Sequence, residues 1–147
     1  MRKITFLALA IFTGLGMSSL AHGQVKDLPH TPVKGSPERQ AIMDALRANF
    51  KLDTGTPVIF QVHYLKVHNG WAWVDVTPLG ENNKPVAEGG TSLLHYEKDK
   101  WTMVDLSTVP ADPNNPLGDQ EASPGFIRNL RQKYPDIPTD IFPKRRK

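Results

Sequence analysis

Residues 58–77, VIFQVHYLKVHNGWAWVDVT, decide the fold. Two runs dense in β-branched and aromatic residues flank Asn69-Gly70, and both of those residues accept the positive φ of a type I′ turn. The stretch therefore predicts a tight antiparallel hairpin with strands over 58–67 and 71–77. A two-residue loop pairs Val67 with Ala72 and continues outward from there. One face then holds His63, Leu65, Val67, Ala72, Val74 and Val76; the other holds Phe60, Val62, Tyr64, Lys66, Trp71, Trp73 and Asp75. Neither face is polar, and a bulge would move the residues beyond it to the opposite face.

Working outward, residues 91–97 and 101–108 form a second strand pair around Lys98, Asp99 and Lys100, joined to the first by a polar connection over 78–90. With Asp99-Lys100 as its loop, Leu93, His95, Val104 and Leu106 share one face. Leu94, Tyr96, Trp101, Met103 and Asp105 share the other. Continued across both hairpins, this places His63 and His95 opposite the tryptophans. Upstream, Ser36-Pro37-Glu38 supplies an N-cap hydroxyl, a first-turn proline and a carboxylate at the positive end of a helix. Ile42, Met43, Leu46 and Phe50 then recur at helical spacing until Asp53-Thr54-Gly55 stops the run. The predicted fold class is α+β: one N-terminal helix packed on a four-stranded antiparallel meander. An antiparallel sheet usually leaves one face to water, so two apolar faces require two covers. The helix supplies one. The C-terminal segment, a partner protein or a second copy of the chain supplies the other.

Past Pro110, proline, asparagine and glycine mark an irregular connection. Ser123-Pro124 repeats the helix-start signal, and Phe126, Ile127, Leu130 and Tyr134 repeat the stripe, so a short second helix is expected over 124–134, ended by Pro135. Residues 136–147 read as an extended, docked segment with a basic end, Lys144, Arg145, Arg146 and Lys147.

Residues 1–23 read as a secretory signal peptide: Arg2 and Lys3, an apolar stretch over 4–15, and a small-residue exit with cleavage after Ala21 or Gly23. That stretch falls short of the roughly 20 residues a membrane-spanning helix needs. The mature chain is therefore expected in the periplasm or secreted, without a stable membrane anchor. Residues 24–35 form a flexible lead-in, 36–109 the helix-and-sheet core, and 110–147 the proline-rich connection, short helix and tail. The 147 residues contain no cysteine, so neither disulfides nor a lipid-modified cysteine is available. Loss of Arg2 and Lys3 lowers the formal charge from +3 to +1, so basicity is local to the C-terminal end rather than a nucleic-acid-binding surface.

A helix wrapped by a four-stranded meander is similar to the cystatin-like folds, which include nuclear-transport-factor-like and polyketide-cyclase-like domains. Residues 36–47, SPERQAIMDALR, the hairpin from Leu65 through Gly70-Trp71 to Val74, and Pro138 with Phe142-Pro143 resemble uncharacterised small exported bacterial proteins of this kind. The resemblance implies a helix and sheet enclosing a pocket, and sheet faces that often dimerise. It carries no catalytic motif, and such folds host enzymes, binders and interaction modules alike.

His63 and His95 are the candidate catalytic groups, since imidazole titrates near working pH. Asp75 and Asp105 fall on the opposite face, so no histidine–aspartate pair is expected. Trp71, Trp73, Trp101, Tyr64 and Tyr96 are the candidate contact residues for a protein or small molecule, because such rings combine apolar area with a polar tip. No metal or cofactor motif appears. The leading expectation is an exported, non-enzymatic accessory or binding domain presenting an aromatic sheet face to a partner or to itself. The alternatives are a small-molecule binder or polyketide-cyclase-like enzyme with a helix–sheet pocket, and an inhibitor or immunity-type envelope protein acting through the 78–90 loop.

Overall fold

The structure, a computed structural model, describes residues 28–50, 58–119 and 122–144. The leader, the Asp53-Thr54-Gly55 stop and the basic residues 145–147 lie outside the described residues. Helix α1, Pro37–Asn49, begins where the Ser36 hydroxyl accepts a hydrogen bond from Arg39 N, with Glu38 in its first turn and Arg47 in its last. Four strands follow, β1 (Ile59–His68), β2 (Trp71–Leu79), β3 (Gly90–Glu97) and β4 (Lys100–Met103), paired antiparallel in the order β1-β2-β3-β4. Helix α2, Pro124–Lys133, comes after an irregular connection, capped by Ser123 accepting from Phe126 N. This is the α+β arrangement the sequence predicts.

Both hairpin turns hold two residues at positive φ. Asn69 and Gly70 sit at 49° and 74°, and Lys98 and Asp99 at 50° and 61°, so the second turn adopts the same form without glycine. That second turn is Lys98-Asp99 rather than Asp99-Lys100. The difference moves the β3–β4 register by two residues, which keeps each side chain on its expected face because strand side chains alternate with period two. Strand β4 also ends at Met103 instead of reaching Thr108. There Asp105 turns the chain into a short 3-10 helix, Leu106–Thr108, by accepting from Ser107 N and Ser107 Oγ. The Ser107 hydrogen bonds, side chain first, lower the Asp105 pKa.

Strand β1 carries a bulge. Above it Tyr64 pairs with Asp75 and Leu65 with Val74, as expected; below it Val62 pairs with Val76 and Phe60 with Pro78. His63 is the extra residue, and Phe60 and Val62 thereby move to the face of Val74 and Val76. The pairing of β2 with β3 supplies a second correction. Trp71 lies opposite His95 and Trp73 opposite Leu93, while Ala72 lies opposite Leu94. His95 therefore shares the face of Trp71 and Trp73, and Trp101, paired with Tyr96, sits on the other face.

Each face has its own core. On one, Ile42, Met43 and Leu46 of α1 bury Leu65, Val67, Ala72, Val74, Val76 and Leu94. On the other, Trp71, Trp73 and Leu93 are covered by Val109, Ala122, Phe126, Leu130, Ile137, Ile141 and Phe142. The second cover is thus the chain's own C-terminal segment. Trp71 and Trp73 retain 1% of their accessible surface; by area each contributes roughly 5 kcal/mol of transfer free energy. Trp73 meets Phe142 edge-on at 5.1 Å, and Trp71 Nε1 donates to Asp136 Oδ2 at 3.2 Å. Close approach fixes Gly125 at the start of α2, since a Cβ there would lie 1.7 Å from Asp112 Oδ2. Among the described residues no helix is long and apolar enough to cross a membrane.

Part of the lead-in is anchored to the sheet. His30 exchanges backbone hydrogen bonds with Val67 at 2.9 and 2.8 Å, and Thr31 Oγ1 donates to Leu65 O, so residues 28–31 run along the outer edge of β1.

Candidate functional site

The five aromatic residues expected to form one surface are divided between two faces. Tyr64, Trp71 and Trp73 belong to the face closed by the C-terminal segment. Tyr96 and Trp101, paired across the β3–β4 turn, belong to the α1 face, with ring centroids 5.4 Å apart and planes inclined by 57°. Tyr96 is 46% exposed, and Trp101 is half-buried against the α1 core.

The two rings line a groove of about 760 Å³ between α1 and the turn end of the sheet. Helix α1 contributes Pro37, Glu38, Ala41, Asp44 and Ala45, one stripe at helical spacing beside the buried stripe of Ile42, Met43 and Leu46. The sheet contributes Val67, Gly70, Tyr96, Asp99, Lys100 and Trp101. The alanines leave room above the sheet where larger residues would close it. That volume falls within the range of small-molecule sites, and the lining mixes apolar surface with a few charged groups.

Among the described residues, three carboxylates and one ammonium line this groove. Glu38 Oε2 lies 2.8 Å from His30 Nε2, and Asp44 Oδ1 accepts from Arg47 Nη1 at 2.6 Å. Asp99 has no hydrogen-bond or ion-pair partner among the described residues. The Trp101 indole N–H has none either, and since no unpartnered side-chain nitrogen or oxygen is buried, it remains open to solvent. The groove therefore offers two aromatic rings, a free donor and an excess of negative charge. Among the described residues no serine, threonine or histidine lines it.

The expected histidines lie elsewhere. His63 is exposed on the bulge, its Nε2 2.8 Å from Thr77 Oγ1. His95 stacks on Trp71 at 3.8 Å with an interplanar angle of 11°, and its Nδ1 lies 2.8 Å from Glu97 Oε1. The sequence reading missed that pair, which follows from the i, i+2 spacing of two residues on one strand face. A third pair, His68 Nδ1 and Asp140 Oδ1 at 2.8 Å, ties the end of β1 to the C-terminal segment. His95 and His68 each lie against a carboxylate and His63 against a hydroxyl, and the three imidazoles are not brought together in one site. Among the described residues no group of three histidine, aspartate or glutamate side chains is placed to hold a metal ion.

The β2–β3 connection, the loop expected to serve an inhibitor, is exposed from 81 to 90. It is folded back by Val86 N donating to Pro78 O and Gly80 N to Lys84 O. Compared with models of protein families, with curated proteins and with solved structures, the chain matches none.

Proposed function

We propose that this chain is an exported binding module whose ligand site is the groove between α1 and the β3–β4 hairpin, with Tyr96 and Trp101 as contact aromatics. One observation carries the reading: the two rings are both accessible and line a groove of ligand size, whereas Trp71 and Trp73 are consumed by the core. The charge and leader of residues 1–23 support export. Binding is favoured over catalysis because, among the described residues, neither His63 nor His95 reaches the groove and no serine or threonine lines it.

The test is native mass spectrometry of the purified protein after exposure to an envelope extract. The expected result is a retained mass that is lost on Tyr96→Leu or Trp101→Leu and kept on His95→Ala. Retention unaffected by the two groove substitutions would move the site elsewhere. A retained mass equal to a second copy of the chain would make the groove a homodimer interface.

A further inference from the structure

We infer that the groove selects a small organic cation, a ligand carrying an alkylammonium group, and this rests on the binding role proposed for the same groove. Three features converge. Tyr96 and Trp101 form an inclined aromatic corner at 5.4 Å, and ring faces attract ammonium groups through their quadrupole, most strongly for tryptophan. Among the described residues, Glu38, Asp44 and Asp99 line the groove against one cation, Lys100, so this lining charge is complementary to a cation and opposed to an anion. Asp99, without a partner among the described residues, stands in the turn that joins the strands of Tyr96 and Trp101, adjacent in sequence to Lys100 and two residues from the indole.

The other carboxylates are partly engaged, Glu38 by His30 and Asp44 by Arg47, each through one oxygen. Asp99 is therefore the group that gains most from an incoming charge. A neutral sugar would also stack on these rings, but it would gain nothing from the carboxylate excess over hydrogen bonds that water already supplies. An anionic ligand would meet three like charges. The size of the groove suits a free small molecule more than an extended chain.

Trp101 provides the measurement. Trp71 and Trp73 are buried, so a ligand in the groove changes the emission of the third tryptophan selectively. Choline and its uncharged isostere 3,3-dimethylbutan-1-ol are titrated against the intact protein, alongside glucose and a short lysine peptide. Choline is expected to bind about tenfold more tightly than the isostere. Its affinity should fall several-fold on Asp99→Asn and with added salt, and also on Tyr96→Leu. Asparagine tolerates the positive φ of position 99, so Asp99→Asn keeps the turn and removes only the charge.

Equal or tighter binding of the isostere or of glucose overturns the cation assignment while leaving the groove as a binding site. Tighter binding of the lysine peptide transfers the ammonium to a protein partner and overturns the small-ligand assignment. No response to choline up to about 10 mM overturns the cation assignment whatever the envelope extract returns. If that extract also yields no groove-dependent ligand, the binding role falls with it.

Discussion

The phenol of Tyr64 donates to the carbonyl of Ile141 at 3.0 Å across 77 positions of sequence, and so ties β1 to the C-terminal cover. Burial first, and the nearby Asp140 carboxylate second, raise its pKa above the usual tyrosine value. A phenol that holds its proton more tightly when folded contributes stability that is complete below about pH 10 and is lost as pH rises through the higher folded-state pKa. Tyr64→Phe should cost about 1 kcal/mol at neutral pH. Denaturant melts taken from pH 7 to 11 should then show the wild type losing more stability at the alkaline end than the variant. Parallel losses would mean that the Tyr64–Ile141 bond is unimportant. His63 is the opposite case at this scale: nothing in its residue type announces a bulge. The bulge exists because Phe60 and Val62 must face α1 while Tyr64, nearer the turn, must face the C-terminal segment.

Both α-helices were legible as elements because each begins with the same local device, a serine followed by proline, ahead of an apolar stripe. Their hydroxyls cap in the same way, Ser36 to Arg39 N and Ser123 to Phe126 N. Their surroundings differ, since Ser123 is 2% exposed and Ser36 is half-buried. Replacing either by alanine removes a cap worth about 1 kcal/mol, and the loss at Ser123 should lie toward the upper end of about 2 kcal/mol because water cannot replace the missing acceptor. Equilibrium unfolding of Ser36→Ala and Ser123→Ala checks this, and equal losses would refute the dependence on burial. The strands were less legible at their ends. Lys98 and Asp99 form a positive-φ turn without glycine, and Asp105 stops β4 by accepting from Ser107, a side-chain competition with the ladder that alternation of apolar residues does not reveal.

At the scale of the whole molecule, the sheet is a partition between two cores, and each side depends on a segment distant in sequence. Phe142 is the keystone of the C-terminal side, edge-on to Trp73 and buried with Ile137 and Ile141. Phe142→Ala should cost about 3–5 kcal/mol, a large fraction of the stability of a domain this size. The tryptophan emission of the folded variant should shift to the red as Trp73 meets water. An unshifted spectrum with an unchanged denaturation midpoint would show that the cover is not needed. The groove belongs to the other core, so the same variant, while folded, should leave the Trp101 response to a groove ligand intact.

Features that depend on neighbours along the chain were readable from the residues alone. Ser36-Pro37 and Ser123-Pro124 start helices, Asn69-Gly70 closes a hairpin, and period-two alternation makes the strands and shows that both of their faces are apolar. How those pieces meet depends on long-range packing. The ten-residue connection over 80–89 leaves the alignment of β2 with β3 open, and that alignment placed His95 on Trp71 and separated Trp101 from Trp71 and Trp73. The choice among the C-terminal segment, a partner and a second copy as the second cover was likewise open until Phe126, Leu130, Ile141 and Phe142 were seen to fill that face. The groove lies at the same level: its carboxylates come from α1 and its rings from a hairpin some fifty residues away. Local propensity can specify each wall of such a site but not the distance between them, which is set by how the helix crosses the sheet.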